Sequence, residues 1–230
     1  GMGGSVLGLS LARAGKKVLF CEKGFSSEKL NATGGFLEMS NEKPTPEAYK
    51  KSGRRFSSII DISYKKPREF KPFIGEGAGG SSLLYGMAME RGHVKDFNSW
   101  PISYEEMKPN YEKAEKLFSV APSKTLHPQN ELINEYLVSK DLHPYRLPLA
   151  SQQETACQGC QGQLCNHHSK NHADNRALAE ALKITGTLLL DECEVQSLDV
   201  HSKKISNVMI KRNNKILHLN ADKIILAASA

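Results

Sequence analysis

An α/β fold built on a parallel sheet is what this 230-residue sequence predicts, and three observations carry the prediction. The chain opens on a glycine cluster that feeds an apolar-periodic stretch, GMGGSVLGLSLARA. A short apolar run ending in an acid follows, KVLFCE. After residue 187 the pattern turns to period two, through TLLLDECEVQSLDV, ISNVMIKR, ILHL and finally DKIILAA.

The elements follow in order. Residues 5–14 predict a helix with Val6, Leu7, Leu9 and Leu11 on its buried face and Gly15 closing its C-terminal end. Lys17–Glu22 reads as a buried parallel strand, since parallel strands are covered on both faces and run apolar throughout. Residues 24–73 are broken by Gly34-Gly35, Pro44, Pro46, Gly53 and Pro67. A helix over 103–118 is signalled by the Ser103/Glu106 capping pair and the stripe Tyr111, Ala114, Leu117 and Phe118, with Pro109 expected to split or kink it. Further helices are expected over 129–140 and over 174–184, the latter ending at Gly186. Asn213-Asn214 is the turn between two late strands.

Composition narrows the class. Hydrophobic content of 39% and charged content of 24% are those of an ordinary globular protein. No apolar run approaches the roughly 20 residues of a membrane span. The net charge of +6 raises nucleic acid as a partner, but the lysines are scattered (Lys16, Lys17, Lys65, Lys66, Lys203, Lys204) and form no basic patch, so none is expected. Five cysteines in a chain this long do not read as a secreted disulfide scaffold, and a cytoplasmic location is expected.

Helix, strand and acid together point to dinucleotide chemistry. In the Rossmann fingerprint, glycines permit a tight turn and close approach of backbone to a pyrophosphate, which sits on the N–H groups of the helix N-terminus. Gly1 and Gly4 take the second and third glycine places of G-x-G-x-x-G, with the first glycine and its strand expected upstream of residue 1. Glu22 stands roughly 20 residues on, where a ribose-binding carboxylate belongs. The competing reading, a tag scar followed by an initiator Met2, leaves helix and strand without a central partner. A second glycine cluster, FIGEGAGGSSLLYGMAMERG (73–92), removes side chains at Gly75, Gly77, Gly79 and Gly80, so backbone can lie flat against a large ligand. Ser81 and Ser82 are placed to cap a following helix whose N–H groups would face an anion.

With GMGGSVLGLSLARAGKKVLFCEKG (1–24), GEGAGGSSLLYGMAMERG (75–92), DFNSWPISYEEMKPNYEKAEKLFSV (96–120) and the EVQSLDV…ADKIILAASA stretch (194–230), the chain resembles the glucose-methanol-choline (GMC) family of FAD-dependent oxidoreductases. The resemblance spans essentially the whole chain. It implies a Rossmann-like FAD-binding domain (parallel sheet plus β-meander) with an inserted α+β substrate-domain segment. The implied boundaries are 1–100 and 186–230 for the FAD domain, and 101–185 for a cap insertion carrying a Cys-rich loop. It implies pyrophosphate on Gly1, Gly3 and Gly4, and ribose on Glu22. Gly80, Ser81, Tyr85, Gly86 and Met87 would lie along pyrophosphate and flavin, Val195 beneath the adenine through its backbone, and Ala227 and Ala228 near the cofactor at the last strand. Many members carry Asn where Tyr85 stands. Leu84 occupies the place of the histidine that tethers flavin covalently in some members, so non-covalent FAD is implied.

The implied activity is hydride transfer from the CH–OH group of an alcohol, sugar or sterol to flavin. The family's catalytic His pair has no match by residue 230, and His93, His127, His143, His201 and His218 read as surface residues. No catalytic residue is assigned, and the polypeptide by itself is expected to bind FAD poorly and catalyse nothing. The implied partners are a small-molecule alcohol and an electron acceptor. The alternatives are another two-dinucleotide flavoprotein, against which the GGSS loop and DFNSWP segment argue, or an iron–sulfur or zinc electron-transfer subunit.

That last alternative rests on CQGCQGQLCNHHSKNHADN (157–175). Cys157, Cys160 and Cys165 with His167, His168 or His172 are spaced closely enough for zinc or an iron–sulfur cluster. The spacing matches no standard cluster motif, so disulfide or free thiols is the leading reading and the three cysteines stay as candidate ligands only. Lys170-Asn171 resembles a pair found in sterol-oxidase-like members, against which stands a solvated polar loop.

Overall fold

In a computed structural model the chain forms two compact units. Residues 1–30, 45–56, 59–61, 66, 68–70, 73–124, 128–152, 161–165, 169–202 and 204–228 are described. Unit one comprises 1–85, 160–166 and 172–230, and unit two 86–159 and 167–171. Residues 86–100, grouped with the first segment by sequence, therefore cluster with unit two, and 172–185, grouped with the insertion, cluster with unit one.

Unit one opens with helix α1 (Met2–Arg13), whose buried residues are Ser5, Gly8, Leu9 and Ala12. This differs from the large-residue face expected from sequence: Leu7 is exposed, and Val6 and Leu11 are only partly covered. The physical reason is close packing. A Cβ at Gly8 would lie 2.1 Å from the Phe20 ring, so the small residues, recurring at three and four, form the contact stripe. Gly15 (φ +74°) turns the chain into β1 (Val18–Cys21). β1 pairs in parallel with β8 (Thr187–Leu190), from Val18 opposite Thr187 to Cys21 opposite Leu190.

Between them come helix α2 (Pro46–Lys51), capped by the Thr45 hydroxyl on the Ala48 N–H at 3.1 Å, and two antiparallel pairs. These are β2 (Arg54–Phe56) with β5 (Phe73–Gly75), and β3 (Ile59–Asp61) with β4 (Arg68–Phe70). The expected helix over 174–184 is a π-turn, Asp174–Leu178, running into α5 (Ala179–Leu182), both packed on α1. After β8 the chain builds the meander β9 (Glu194–His201), β10 (Lys204–Arg212), β11 (Lys215–Leu219), in spatial order β11-β10-β9. Asn213 and Asn214 both take positive φ (49° and 58°), the requirement of a type I′ hairpin turn. Cys193, Val208 and Ile210 form its core, with Leu190, Leu198, Ile205, Leu219 and Ile224 against it. The expected final strand does not form. Residues 223–227 pair with no strand among the described residues, and Ile225 and Leu226 are exposed.

Unit two holds helices α3 (Tyr104–Phe118) and α4 (Pro128–Ser139), and the antiparallel pair β6 (Val120–Pro122) with β7 (Pro148–Ala150). The Ser103/Glu106 capping box is present in both directions. Pro109 does not split α3, which is one element through it. Phe97 stacks with Trp100, Tyr104 and Tyr111, and Arg91 clamps Glu115 through two 2.6 Å bonds. An open hollow of about 360 Å³ beside that clamp is lined by Glu90, His93, Tyr104 and Pro148.

Candidate dinucleotide site

The two glycine clusters meet in unit one. Gly1 caps α1, its carbonyl accepting from the Ser5 N–H at 3.2 Å and the Ser5 hydroxyl at 2.9 Å. Above the first turn the surface is bare, since a Cβ at Gly1 or Gly3 would meet nothing within 4 Å. Gly4 faces the other way, where a Cβ would lie 2.8 Å from the Ala227 side chain. Against this turn lies the second loop, with Gly77, Gly79 and Gly80 all at positive φ (146°, 107° and 57°). A Cβ at Gly80 would sit 3.3 Å from the Gly1 N and Cα. The two clusters thus meet backbone to backbone in a seam at Gly80 and Gly1, whereas Gly77 and Gly79 turn toward Leu30, Leu83 and Asp174.

Glu22, at the end of β1, closes the seam. Its carboxylate accepts the Gly24 N–H at 2.8 Å and also the Gly77 N–H. Burial raises its pKa, the Glu76 charge adds to that, and the two N–H groups oppose it. Gly24 itself presses on the second loop, because a Cβ there would lie 2.5 Å from the Gly77 N. Glu22 is therefore held against the second loop, at the C-terminal edge of the parallel pair, where ligands of open α/β sheets bind.

The remaining expected residues divide. Ser81 and Ser82 do not cap an α-helix. Gly80–Leu83 is one 3-10 turn, in which Ser82 is buried, donates to the Gly79 carbonyl at 2.7 Å and accepts the Ala173 N–H at 3.0 Å. The serine is used to pin the loop from below, which leaves no free hydroxyl to cap with. Ser81 is exposed and accepts the Gly75 N–H at 3.4 Å. Tyr85 is partly buried, and that burial raises its hydroxyl pKa. Gly86 and Met87 open unit two. Met87 is buried at a positive φ of 66°, and its carbonyl accepts the Ala150 N–H at 2.8 Å. Val195 lies in β9 opposite Ile210, next to the Lys23–Glu194 ion pair of 2.6 Å. Ala228 follows Ala227 at a bend.

Cys157, Cys160, His167 and His168 lie outside the described residues. Cys165 is half-buried and in no disulfide, and among the described residues no group of three His, Cys, Asp or Glu is arranged to hold a metal ion. Lys170 and Asn171 are fully buried in unit two, which overturns the solvated-loop reading. The Asn171 side chain donates to the Phe118 carbonyl at 2.7 Å.

Sequence reasoning missed the supports. Asp174 lies under Gly79, whose Cβ would be 3.2 Å from the Asp174 Cβ, and burial pushes its carboxyl up to about 6. Arg54 is buried and donates to the Gly162 carbonyl at 2.6 Å, fixing the exit of the cysteine-rich loop. Asp191 gathers Lys29 (2.8 Å), the Ser26 N–H (3.1 Å) and Arg212 (3.3 Å). Burial opposes its ionisation, yet these partners hold it well below the carboxylate range. It ties the loop after Glu22 to β8 and β10. None has a local motif; each becomes visible only when distant segments meet.

Comparison with known proteins agrees with this architecture. An oxygen-dependent choline dehydrogenase from Xanthomonas euvesicatoria pv. vesicatoria is 30% identical over 126 residues, covering 50% of this chain and 21% of that protein. Its counterpart from Xanthomonas axonopodis pv. citri is 29% identical over the same length. A fungal aryl-alcohol oxidase superposes with TM-score 0.67 at 15% identity, over 96% of this chain and 43% of that one. Pyridoxine 4-oxidase from Mesorbium loti gives 0.63 at 18% identity, over 100% and 48%. The chain thus spans less than half the length of each. The profile of the GMC oxidoreductase family matches residues 27–230, and the chain belongs to that family.

Proposed function

We propose that this chain is the dinucleotide-binding part of an FAD-dependent oxidoreductase that converts the CH–OH group of a small alcohol, sugar or sterol to a carbonyl. The observation that supports it is the bare helix start at Gly1 and Gly3, with Gly80 so close that a Cβ there would lie 3.3 Å from Gly1 and the Glu22 carboxylate oriented by the Gly24 N–H, which together form the seam. The seam fits FAD. A pyrophosphate needs bare backbone at a helix N-terminus, and a ribose needs a carboxylate that is already oriented. The bare backbone of Gly1 and Gly3 would hold the pyrophosphate, Gly4 would let Ala227 pack close behind it, and Glu22 would hold the ribose. Gly80, Ser81, Tyr85, Gly86 and Met87 would follow the flavin side, with Val195 and Ala228 at the adenine and strand ends. Bound non-covalently, with Leu84 in place of a tethering histidine, the flavin supplies the hydride acceptor.

What the chain's own residues do is position and exclude. The Gly24 and Gly77 N–H groups fix the Glu22 oxygens before any ligand arrives, so little is spent ordering them on binding. Proton removal from the alcohol is assigned to no residue of this chain. A small-molecule alcohol and an electron acceptor are the proposed partners. The test is made on the whole protein that contains this chain, purified with its flavin. Anaerobic addition of an alcohol substrate bleaches the visible flavin band, and Glu22→Gln releases flavin at least tenfold more readily. A protein that binds no flavin, or whose flavin no alcohol reduces, overturns the reading.

A further inference from the structure

Two thiols meet behind Glu22. Cys21 ends β1 and is exposed, whereas Cys193 follows β8 and is buried at 1%. The backbone brings them together: β1 sets Cys21 opposite Leu190, the Glu22 N–H donates to the Leu190 carbonyl at 2.9 Å, and the Cys193 N–H donates to the Glu22 carbonyl at 2.9 Å. The side chains are hydrogen-bonded thiol to thiol, and both are free. Neither belongs to the CQGC loop, and neither has a part in holding the dinucleotide. A side chain of this kind at a sheet-to-meander junction packs as well as alanine or valine, so packing alone does not require sulfur at both places.

We propose that Cys21 and Cys193 form a redox pair, oxidised by a peroxide to an intramolecular disulfide that joins the end of β1 to the turn between β8 and β9. The exposed thiol reacts first. As thiolate, Cys21 Sγ attacks one oxygen of hydrogen peroxide, the O–O bond breaks, and the departing hydroxide takes up the thiol proton to leave as water. Cys193 Sγ then attacks the sulfur of the Cys21 sulfenic acid. The S–S bond forms, the S–O bond breaks, and a second water leaves with the Cys193 proton. The thiols give up two electrons and two protons, and the peroxide becomes two waters. The buried partner is already in contact, so the sulfenic acid is intercepted before further oxidation.

The pair is slow at neutral pH by design of its surroundings. Although Cys21 keeps a solvent-exposed side, its partial burial, with the neighbouring thiol, pushes it up to about 12, and burial raises Cys193. Since only thiolate attacks peroxide, the rate should rise about tenfold per pH unit below that value.

The test treats the folded protein with hydrogen peroxide, quenches it with acid and an alkylating maleimide, and maps all five cysteines by peptide mass. The expected product is one peptide pair linking Cys21 to Cys193, lighter by two hydrogens and restored by dithiothreitol, forming at least tenfold faster at pH 9 than at pH 7. Cys193→Ala should leave a Cys21 sulfenic acid that a dimedone reagent traps, and Cys21→Ser should give no link to Cys193. In the unaltered protein, a Cys21 oxidised to sulfinic acid with Cys193 still alkylated overturns the proposal, as does linkage of Cys21 only to Cys157, Cys160 or Cys165. Disulfide formed without any flavin binding would refute the Glu22 reading and leave the pair standing.

Discussion

Replacing Asp174 with Asn should stabilise this protein, and by an amount that depends on pH. Asp174 is 8% exposed beneath the Gly79 turn, and burial lifts its carboxyl from 3.8 to about 6, with the Ser27 hydroxyl only partly offsetting this. At about 1.36 kcal/mol per pK unit, that shift corresponds to roughly 3 kcal/mol withheld from the folded state once the group is ionised. The sign follows from the raised value. Below 3.8 the carboxyl is protonated in both states and nothing is lost. Between 3.8 and about 6 the unfolded chain ionises while the folded chain resists, so stability falls as pH rises; above about 6 the loss is constant. Asn keeps the shape and the acceptor for Ser27 but never ionises. Urea denaturation at about pH 3.5, about pH 5 and about pH 8 should therefore show Asp174→Asn nearly matched to the parent at the lowest pH and up to roughly 3 kcal/mol more stable at the highest. Parallel pH curves for the two proteins, or a less stable variant at about pH 8, would refute the reasoning.

Gly24→Ala places a Cβ 2.5 Å from the Gly77 N and 2.7 Å from two further backbone atoms, so melting should report about 1–3 kcal/mol of destabilisation with weakened flavin retention. Gly3→Ala, which meets nothing within 4 Å, should melt like the parent while still lowering flavin affinity. Asn171→Ala removes the 2.7 Å bond to the Phe118 carbonyl from a fully buried site and should lose about 1–3 kcal/mol in denaturant titrations. Acid precipitation of the whole protein should release its flavin into the supernatant, because Leu84 offers no atom for a covalent tether; yellow colour retained in the pellet would contradict this.

Legibility in the sequence followed the range of the interactions. Signals confined to a few residues were readable: the Ser103/Glu106 box, the Asn213-Asn214 turn, the strand ending at Cys21 and the glycines on either side of the seam. What depended on distant partners was not. The contact face of α1 is set by the Phe20 ring rather than by the larger apolar residues of the helix itself. Ser82 looked like a cap but is claimed by Gly79 and by Ala173, which lies 91 residues away. For Lys170-Asn171 the sequence left a solvated polar loop standing beside the resemblance; their burial depends on β7 and the end of α3. The strand expected at 222–228 has the right residues, but apolar residues make a strand only with a partner alongside, and among the described residues none pairs with it. Pro109 was weighed as a breaker, yet α3 continues through it as one element, at the cost of the one bond its N–H would have made to the preceding turn.

The bond from Asn171 to the Phe118 carbonyl also orders events in time. The last carbonyls of a helix have no partner within it, and here one is satisfied by a residue made 53 positions later. During synthesis α3 therefore emerges with an unfinished C-terminal end, free to fray until the chain has passed through the cysteine-rich loop and returned. Anything that delays passage through that loop delays the pairing of this carbonyl, and a nascent chain halted before residue 171 presents α3 ended by its Ser119 turn alone.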